Sequence, residues 1–495
     1  MNLIKKTIEK YNKIPVTIKA AFWFAFSIII VKAMNFLTMP IFTSILSVEE
    51  YGSLNLFLSI ESVALIFSSL YLFYNVFVSG MHKYEDDEYN FINSLQTITS
   101  ISTVVLFLIY LPLHTFIDNF TKIPLPLMIF MFVDLFFTPS YQFWMARQRY
   151  KYKYKSVVFV TVALCLTTLI ANIVSVMVFE NKLYAKIIST VVVNCSFCVF
   201  FYFYFCIKGK ISQNKEIRKY IKYALKFNLP LIPHFLAAYV LNLSDRLMIG
   251  YLAGEREAGL YSVAYSISSI MIFVNTAINQ VVPPWFYKRM DDKDYGSINR
   301  ICRIVLLFIA VINLLLILIA PELIKIFSTN EYLEAIWVVP PIASSGFFIF
   351  LIDFIANAEY YFDETRKTKW ISIIPAILNI ILNYFLIIHF GYIAAGYTTL
   401  ISYITFAVIR YIYMKSIVKR HGLHKGFIGW KPILIIAIVF LLLSSVSLIT
   451  YNYVVVRYSV FGFLFLLTLT VVILKKEKIK NYFKTREINP NEESV

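Results

Sequence analysis

Residues 20–46 read AAFWFAFSIIIVKAMNFLTMPIFTSIL and carry a single charge, Lys32. A helix over this stretch is about 40 Å long, at 1.5 Å of rise per residue, and exceeds the roughly 30 Å hydrocarbon core of a bilayer. Stretches of similar length and hydrophobicity recur along the chain at 53–79, 91–113, 124–146, 156–179, 183–207, 227–251, 258–287, 301–320, 336–362, 370–389, 393–414, 432–451 and 458–474. The pattern predicts an all-α integral membrane protein with about fourteen transmembrane helices.

The composition agrees with this interpretation. Hydrophobic residues make up 59% of the 495 residues and charged residues 15%, which leaves too little polar surface to cover a soluble globule of this size. A membrane-bound glycosyltransferase or glycan polymerase would need a catalytic loop outside the bilayer, and the longest such loop, at about 321–335, is too short. We therefore expect a protein that is not an enzyme.

The orientation follows from the basic residues, because loops rich in Lys and Arg stay on the cytoplasmic side. Basic clusters occur at 5–19, 147–155, 208–226, 288–303, 366–369, 415–431 and 475–486. The loops assigned to the outside hold only Lys122, Lys182, Lys186, Arg256, Lys325 and Arg457. Both termini are predicted to be cytoplasmic, and the first apolar segment is expected to be a retained span. The same clusters account for the net charge of +17, because basic cytoplasmic loops face anionic lipid headgroups. No nucleic-acid partner is therefore expected.

An internal repeat organises the chain. Residues 50–60, EYGSLNLFLSI, align without gaps on residues 257–267, EAGLYSVAYSI, and the alignment matches Gly52 with Gly259. The same offset places Lys19 on Lys226 and Asn35 on Asn242. Two six-helix lobes are predicted, related by a pseudo-twofold axis along the membrane normal. Their expected bounds are 1–215 and 216–420, and 421–495 adds two further helices and a basic cytoplasmic tail.

Several short stretches resemble a known family. They are residues 46–52 (LSVEEYG), 244–250 (SDRLMIG), 258–264 (AGLYSVA), 320–327 (APELIKIF) and 390–403 (FGYIAAGYTTLISY). In order and spacing they resemble the polysaccharide-export branch, the O-antigen-type or Wzx-like flippases, of the multidrug/oligosaccharidyl-lipid/polysaccharide (MOP) exporter superfamily. Together with the number of spans, the resemblance covers nearly the whole chain.

The resemblance implies a function and a location. Such a protein moves an undecaprenyl-pyrophosphate-linked oligosaccharide across the bacterial cytoplasmic membrane by alternating access, for O-antigen, capsule or exopolysaccharide synthesis. Its expected partners are this lipid-linked sugar, membrane lipids and polysaccharide polymerase machinery. A cation-coupled multidrug antiporter and a lipid II flippase of the same superfamily are the alternatives.

A lipid-linked sugar presents a pyrophosphate and many hydroxyl groups, so its path needs charged and polar side chains inside the spans, where such groups are costly unless they face a wet cavity. Lys32 and Asn35 lie about one helical turn apart, hence on one face of the first span. Alternatively, Lys32 pairs with Asp134 and holds the first lobe together. Glu61 and Glu359 are further intramembrane acids. The predicted cavity residues are Lys32, Asn35, Asp134, Arg246, Arg303 and Asp353.

A second group of polar residues suggests ion coupling. Amide, hydroxyl and carboxylate oxygens suit hard cations, and they occur at Asn242, Asp245, Asn379, Asn383 and Thr399. Sodium-using lipid II flippases are similar but have an acid at the position of Asn383. We therefore expect no cofactor other than a possible Na⁺ or H⁺, with ordinary polar helix packing as the alternative. No other metal site is expected, because the Cys195 and Cys198 pair lacks a second pair of ligands.

Overall fold

The computed structural model describes residues 16–209, 214–279, 281–364, 368–422 and 427–483. Within these ranges the chain forms α-helices and short 3₁₀ helices and no β-strand. The α-helices are α1 (Val16–Ile45), α2 (Val48–Ser69), α3 (Asn75–Lys83), α4 (Glu88–Thr121), α5 (Leu125–Tyr150), α6 (Tyr154–Val178), α7 (Lys182–Lys208), α8 (Asn214–Asn228), α9 (Ile232–Leu252), α10 (Glu255–Ser268), α11 (Ile270–Asn279), α12 (Val282–Asp291), α13 (Tyr295–Leu318), α14 (Ala320–Phe327), α15 (Val339–Tyr361), α16 (Thr368–Phe390), α17 (Ile393–Arg420), α18 (Trp430–Ile449) and α19 (Val454–Phe483).

The helices confirm the all-α membrane protein predicted from hydrophobicity. Among the described residues, 12 helical segments are long and apolar enough to cross a bilayer, and α8 with α9 forms a further bent pair. The apolar part of α19, Val454–Thr470, is shorter. These segments coincide one to one with the predicted stretches. Large apolar side chains such as Phe159 (74% exposed) and Ile207 (81% exposed) cover their outer surfaces, as expected of helices solvated by lipid.

The predicted spans 53–79 and 227–251 are interrupted in the structure. The stretch 53–79 is broken where Leu70 and Tyr71 adopt positive φ angles of 47° and 51°, so α2 ends at Ser69 and α3 begins at Asn75. The span predicted at 227–251 bends by 53° between α8 and α9. Pro230 and Pro233 lie at this junction, and a proline ring removes a backbone donor and clashes with the preceding turn.

The chain divides into two compact units. The first is Met1–Ser262 with Phe327–Thr329, and the second is Val263–Ile326 with Asn330–Val495. These units are defined by packing, whereas the lobe bounds at 1–215 and 216–420 came from the repeat and stay a prediction.

An aromatic core holds the first unit together. Phe77 of α3 stacks on Phe143 of α5 at 5.7 Å between ring centroids, and Phe91 of α4 and Phe205 of α7 are fully buried beside them. Each such side chain removes a large apolar area from contact with neighbouring lipid and water, and aromatic pairs add specific geometry. The core therefore ties α3, α4, α5 and α7 into one body.

In the second unit α15 is the central helix. Phe347, Phe350 and Phe354 are fully buried, and Phe347 stacks on Phe440 of α18 at 4.9 Å. The helices α13 and α17 pack against α15, and α16 packs on the α17 helix. Polar residues on α15 consequently lie in the interior of the unit rather than in lipid.

Candidate functional site: polar side chains inside the spans

Asp134 is the centre of a polar cluster in the first unit. It is 5% exposed on α5, and its carboxylate accepts hydrogen bonds from Asn194 Nδ2 at 2.6 Å and Thr138 Oγ1 at 3.0 Å. Cys195 Sγ lies 3.6 Å from Asp134 Oδ1, and Glu61 of α2 lies within hydrogen-bonding reach. Two adjacent carboxyl groups repel each other unless they share a proton or bind a cation. The cluster is thus chemically suited to binding a proton or a small cation.

Lys32 lies on α1 and is half-buried. Among the described residues, the partners of Asp134 are Glu61 and the polar side chains given above, and Lys32 is not one of them. The alternative of a buried Lys32–Asp134 pair is therefore not observed in the structure. Asn35 lies on the same helix, and its side chain is outside the described residues.

Asn242, Asp245 and Arg246 lie on α9, also in the first unit. Asp245 is 1% exposed and accepts a hydrogen bond of 2.6 Å from the hydroxyl of Tyr261. Asn242 Nδ2 donates to the backbone carbonyl of Ala238 at 2.6 Å. Arg246 is half-buried. Asp245 and Arg246 are adjacent on the helix, and because each helical residue turns the chain by about 100°, their side chains leave the helix in different directions.

The remaining predicted cavity residues lie in the second unit. Asp353 of α15 accepts a hydrogen bond of 2.8 Å from Asn279 Nδ2 at the end of α11. Arg303 of α13 donates from Nε to the carbonyl of Asn299 at 3.3 Å, one turn earlier on its own helix. These two residues therefore belong to separate local networks.

A buried ion pair that the sequence did not predict joins α15 and α17. Arg410 of α17 donates to both oxygens of Glu359 on α15, from Nε at 2.7 Å and from Nη2 at 3.1 Å. Glu359 is fully buried and Arg410 is 6% exposed. Glu359 is one of the predicted intramembrane acids, whereas Arg410 is absent from the predicted site residues; the sequence signal for it is a charge within the apolar stretch 393–414.

Three residues of the predicted cation site meet in the second unit. Asn379 Nδ2 donates to Thr399 Oγ1 at 3.4 Å, and Asn383 Nδ2 donates to Asn379 Oδ1 at 3.2 Å. Thr398 donates to Asn383 Oδ1, so both amide oxygens accept hydrogen bonds from protein groups. All four side chains are buried between α16 and α17. This geometry equally fits polar packing between membrane helices, which was the alternative. In the described part of the chain, no three His, Cys, Asp or Glu side chains cluster as metal ligands would.

Comparison with solved structures shows which fold this is. A structure of the lipid II flippase MurJ in an inward closed conformation superposes with a TM-score of 0.69, covering 93% of this chain and 100% of that one at 14% identity. An inward-facing multidrug resistance MATE family transporter of the MOP superfamily gives a TM-score of 0.61 over 80% of this chain and 96% of that one, at 12% identity. A MOP superfamily transporter from Pyrococcus furiosus gives 0.54, covering 82% and 95%, at 12% identity. The chain therefore has the fold of MOP superfamily transporters.

Comparison of sequences identifies the family. A relative from Haemophilus influenzae, the Lsg locus putative protein 1, is 22% identical over 275 residues, which cover 53% of this chain and 64% of the relative. The match thus spans just under two thirds of that protein's length. The family profile described as "Polysaccharide biosynthesis protein" matches residues 17–290, more than half of the chain. By this match, the chain belongs to the polysaccharide biosynthesis protein family.

Proposed function

We propose that this protein is a flippase that carries an undecaprenyl-pyrophosphate-linked oligosaccharide repeat unit across the bacterial cytoplasmic membrane for surface polysaccharide synthesis. The observation that carries the proposal is the family match over residues 17–290 in a chain with the fold of MOP superfamily transporters. A multi-pass membrane protein of this family needs a role in polysaccharide synthesis that is performed inside the bilayer. Moving the lipid-linked unit between leaflets is such a role, and an alternating-access transporter fold supports it.

The polar residues inside the spans support the same proposal. Lys32, Arg246 and Arg303 supply positive charge to a pyrophosphate, and amides and hydroxyls supply hydrogen bonds to sugar hydroxyl groups. Polar side chains this deep in membrane helices are costly and are typical of substrate and ion pathways. We assign Lys32, Asn35, Asp134, Arg246, Arg303 and Asp353 to the cargo path.

We further propose that a proton or Na⁺ drives the cycle. Asp134 beside Glu61 is one candidate site; the other predicted cation ligands form two groups, Asn242 and Asp245 in the first unit and Asn379, Asn383 and Thr399 in the second. In proteoliposomes, transport of a sugar-lipid analogue should then stop when the proton and sodium gradients are both collapsed. Transport that continues would contradict coupling and leave polymerisation on the outer face as the source of direction.

The function is tested by deleting the gene in its native host and analysing the cell surface and the lipid-linked intermediates. Loss of one surface polymer, with its lipid-linked repeat unit accumulating on the cytoplasmic side, is the expected result. Restoration by the wild-type gene is the control. Unchanged glycans with raised dye sensitivity would instead support the antiporter, and accumulated lipid II with a defective cell wall would support the lipid II flippase.

A further inference from the structure

A second polar feature of the first unit lies apart from the residues assigned above. A cavity of about 310 Å³ lies among α1, α5, α6 and α7. Its lining includes Thr38, Phe42, Tyr141, Thr168, Asn172 and Lys186. Small-molecule sites have volumes of about 300–1,000 Å³, so this cavity has room for one sugar-sized ligand.

Lys186 is the charged group of this cavity. Lys186 is one of the basic residues assigned to the outside, at the start of the predicted stretch 183–207; α7 begins at Lys182, where Asn181 caps the helix, so Lys186 lies in the second turn of a spanning helix. Its ammonium Nζ is 3.1 Å from the ring centroid of Phe42. Elsewhere in the described spans, Arg147 pairs with Glu88 and Arg410 with Glu359. Lys186 has no carboxylate within ion-pair distance among the residues that the structure describes.

Asn172 adds a second hydrogen-bond donor. Its Oδ1 accepts from Ser189 Oγ at 2.6 Å and from Thr190 Oγ1 at 2.9 Å. Both hydroxyls belong to α7, so they fix the amide of α6 against the helix that carries Lys186. The amide oxygen is thereby occupied, and the Asn172 NH₂ group is left to donate to a ligand. An ammonium and an amide NH₂ together present donors and positive charge, which suit an anionic acceptor.

The other walls suit a sugar. Tyr141 supplies aromatic surface against which the apolar face of a pyranose can pack, while the Phe42 ring lies under the Lys186 ammonium. Thr168 Oγ1 donates to the carbonyl of Leu164 at 2.7 Å, so its oxygen lone pairs can accept from a sugar hydroxyl. A phosphate carries up to two charges and three strong acceptor oxygens, more than one lysine and one amide satisfy. A carboxylate needs fewer donors.

We propose that this cavity binds a single acidic sugar residue, with the sugar carboxylate on Lys186 and Asn172 and the ring against Tyr141. The proposal deepens the flippase function: that the acidic sugar belongs to the lipid-linked cargo rests on the proposed function, whereas binding of the sugar itself does not. A cargo with a uronic-acid-type residue would thereby be distinguished from a neutral one of the same size.

The experiment measures binding to the purified full-length protein in detergent. The thermal unfolding midpoint is followed against sodium glucuronate, with sodium chloride at equal ionic strength, glucose and inorganic phosphate as comparison solutes. Glucuronate should raise the midpoint of the wild type, and neither glucose nor chloride should. Lys186→Met should weaken the apparent affinity for glucuronate about tenfold or more, because a charge-assisted hydrogen bond is lost, and Lys186→Arg should retain part of it.

The matched control is Lys208→Met, which makes the same substitution at the exposed far end of the same helix and should bind glucuronate like the wild type. A Lys186→Met protein that elutes as a single species and unfolds cooperatively in chloride shows that lost binding is not lost folding. Glucuronate that fails to stabilise the wild type, or that stabilises Lys186→Met equally, would overturn the site. Stabilisation by phosphate but not by glucuronate would contradict an acidic sugar as the ligand of this cavity.

The two proposals fail separately. If the purified protein binds glucuronate but gene deletion leaves the surface glycans unchanged, the flippase function is contradicted and the sugar site is supported. If gene deletion abolishes one surface polymer but the purified protein does not bind glucuronate, the flippase function is supported and the sugar site is contradicted.

Discussion

Charged side chains inside the described spans are mostly held by specific partners rather than left in apolar surroundings. Glu359 and Arg410 form a two-bond ion pair between α15 and α17, and Asp134 accepts hydrogen bonds from α5 and α7. Burying a charge is tolerable only when it is paired and hydrogen-bonded. These residues therefore join helices as well as offering chemistry to a cargo or an ion.

The Glu359–Arg410 pair leads to a prediction about stability. Removing one member of a buried pair leaves an uncompensated charge and costs about 3–5 kcal/mol, so Arg410→Met should lower the thermal unfolding midpoint strongly. The double variant Glu359→Leu with Arg410→Met should recover most of the loss, because it leaves no buried charge. Arg420→Met is the control, since Arg420 pairs with Glu364 at 3.2 Å in an exposed position on the same helix. Equal losses for Arg410→Met and Arg420→Met would contradict the role of burial.

Lys32 carries the prediction about transport. We expect Lys32→Ala to abolish polymer export while the protein stays at near-normal abundance in the membrane. Lys32→Arg should keep part of the activity, because charge matters more than shape at a phosphate contact. Export is measured as surface polymer in the deletion strain carrying each variant. Full activity of Lys32→Met would show that the charge is not needed.

At the scale of helices, two glycines that the repeat aligns with each other meet in space. A Cβ atom on Gly52 of α2 would lie 1.8 Å from the carbonyl oxygen of Glu255, and one on Gly259 of α10 would lie 2.3 Å from that of Val48. Neither distance leaves room for a side chain, so the backbones touch directly. Ser53 Oγ adds a hydrogen bond of 2.7 Å to Glu255 beside this contact. Small residues are the usual means of close approach between membrane helices.

Alanine at these glycines should separate the helices. Gly52→Ala is expected to lower stability by about 1–3 kcal/mol or more, because the obstructing atoms are backbone and cannot rotate away. Gly462→Ala is the matched control: a Cβ there meets nothing within 4 Å, and helix propensity predicts a neutral or slightly stabilising effect. Thermal unfolding midpoints of the purified variants are the measurement. A Gly52→Ala protein as stable as the wild type would show that the helices are not in contact in the membrane.

For the whole molecule, the spans and the basic clusters together predict the topology. Lys153, at the start of α6, and Asn181, after its end, are both exposed and separated by a helix of about 37 Å, so they lie on opposite sides of the bilayer. Reporter fusions should be cytoplasmic at Lys153, Lys215 and the C-terminal tail, and external at Asn181 and Asn330. The 5–19 cluster, the 366–369 cluster and the 484–495 end of the tail lie outside the described residues, in whole or in part. An external signal at Lys153 would reverse the predicted orientation.

The sequence by itself determined the fold class and the order of spans. Each span is a local property, since about 20 consecutive apolar residues must form a helix to satisfy their backbone groups in lipid. It also selected Asp134, Glu359, Asn379 and Asn383 as polar residues inside helices, and the structure places all four in buried networks. The short stretches that resembled the polysaccharide-export branch led to the family that the profile match confirms.

The tertiary structure alone decided which of these residues meet. Glu359 and Arg410 are 51 residues apart, and nothing in the local sequence of either specifies its partner. Lys186 lies inside the predicted stretch 183–207, but it faces a cavity only because α1 and α6 pack beside α7. Hydrophobicity assigns a residue to the membrane, but helix packing determines what surrounds its side chain there, because packing depends on contacts between residues distant in sequence.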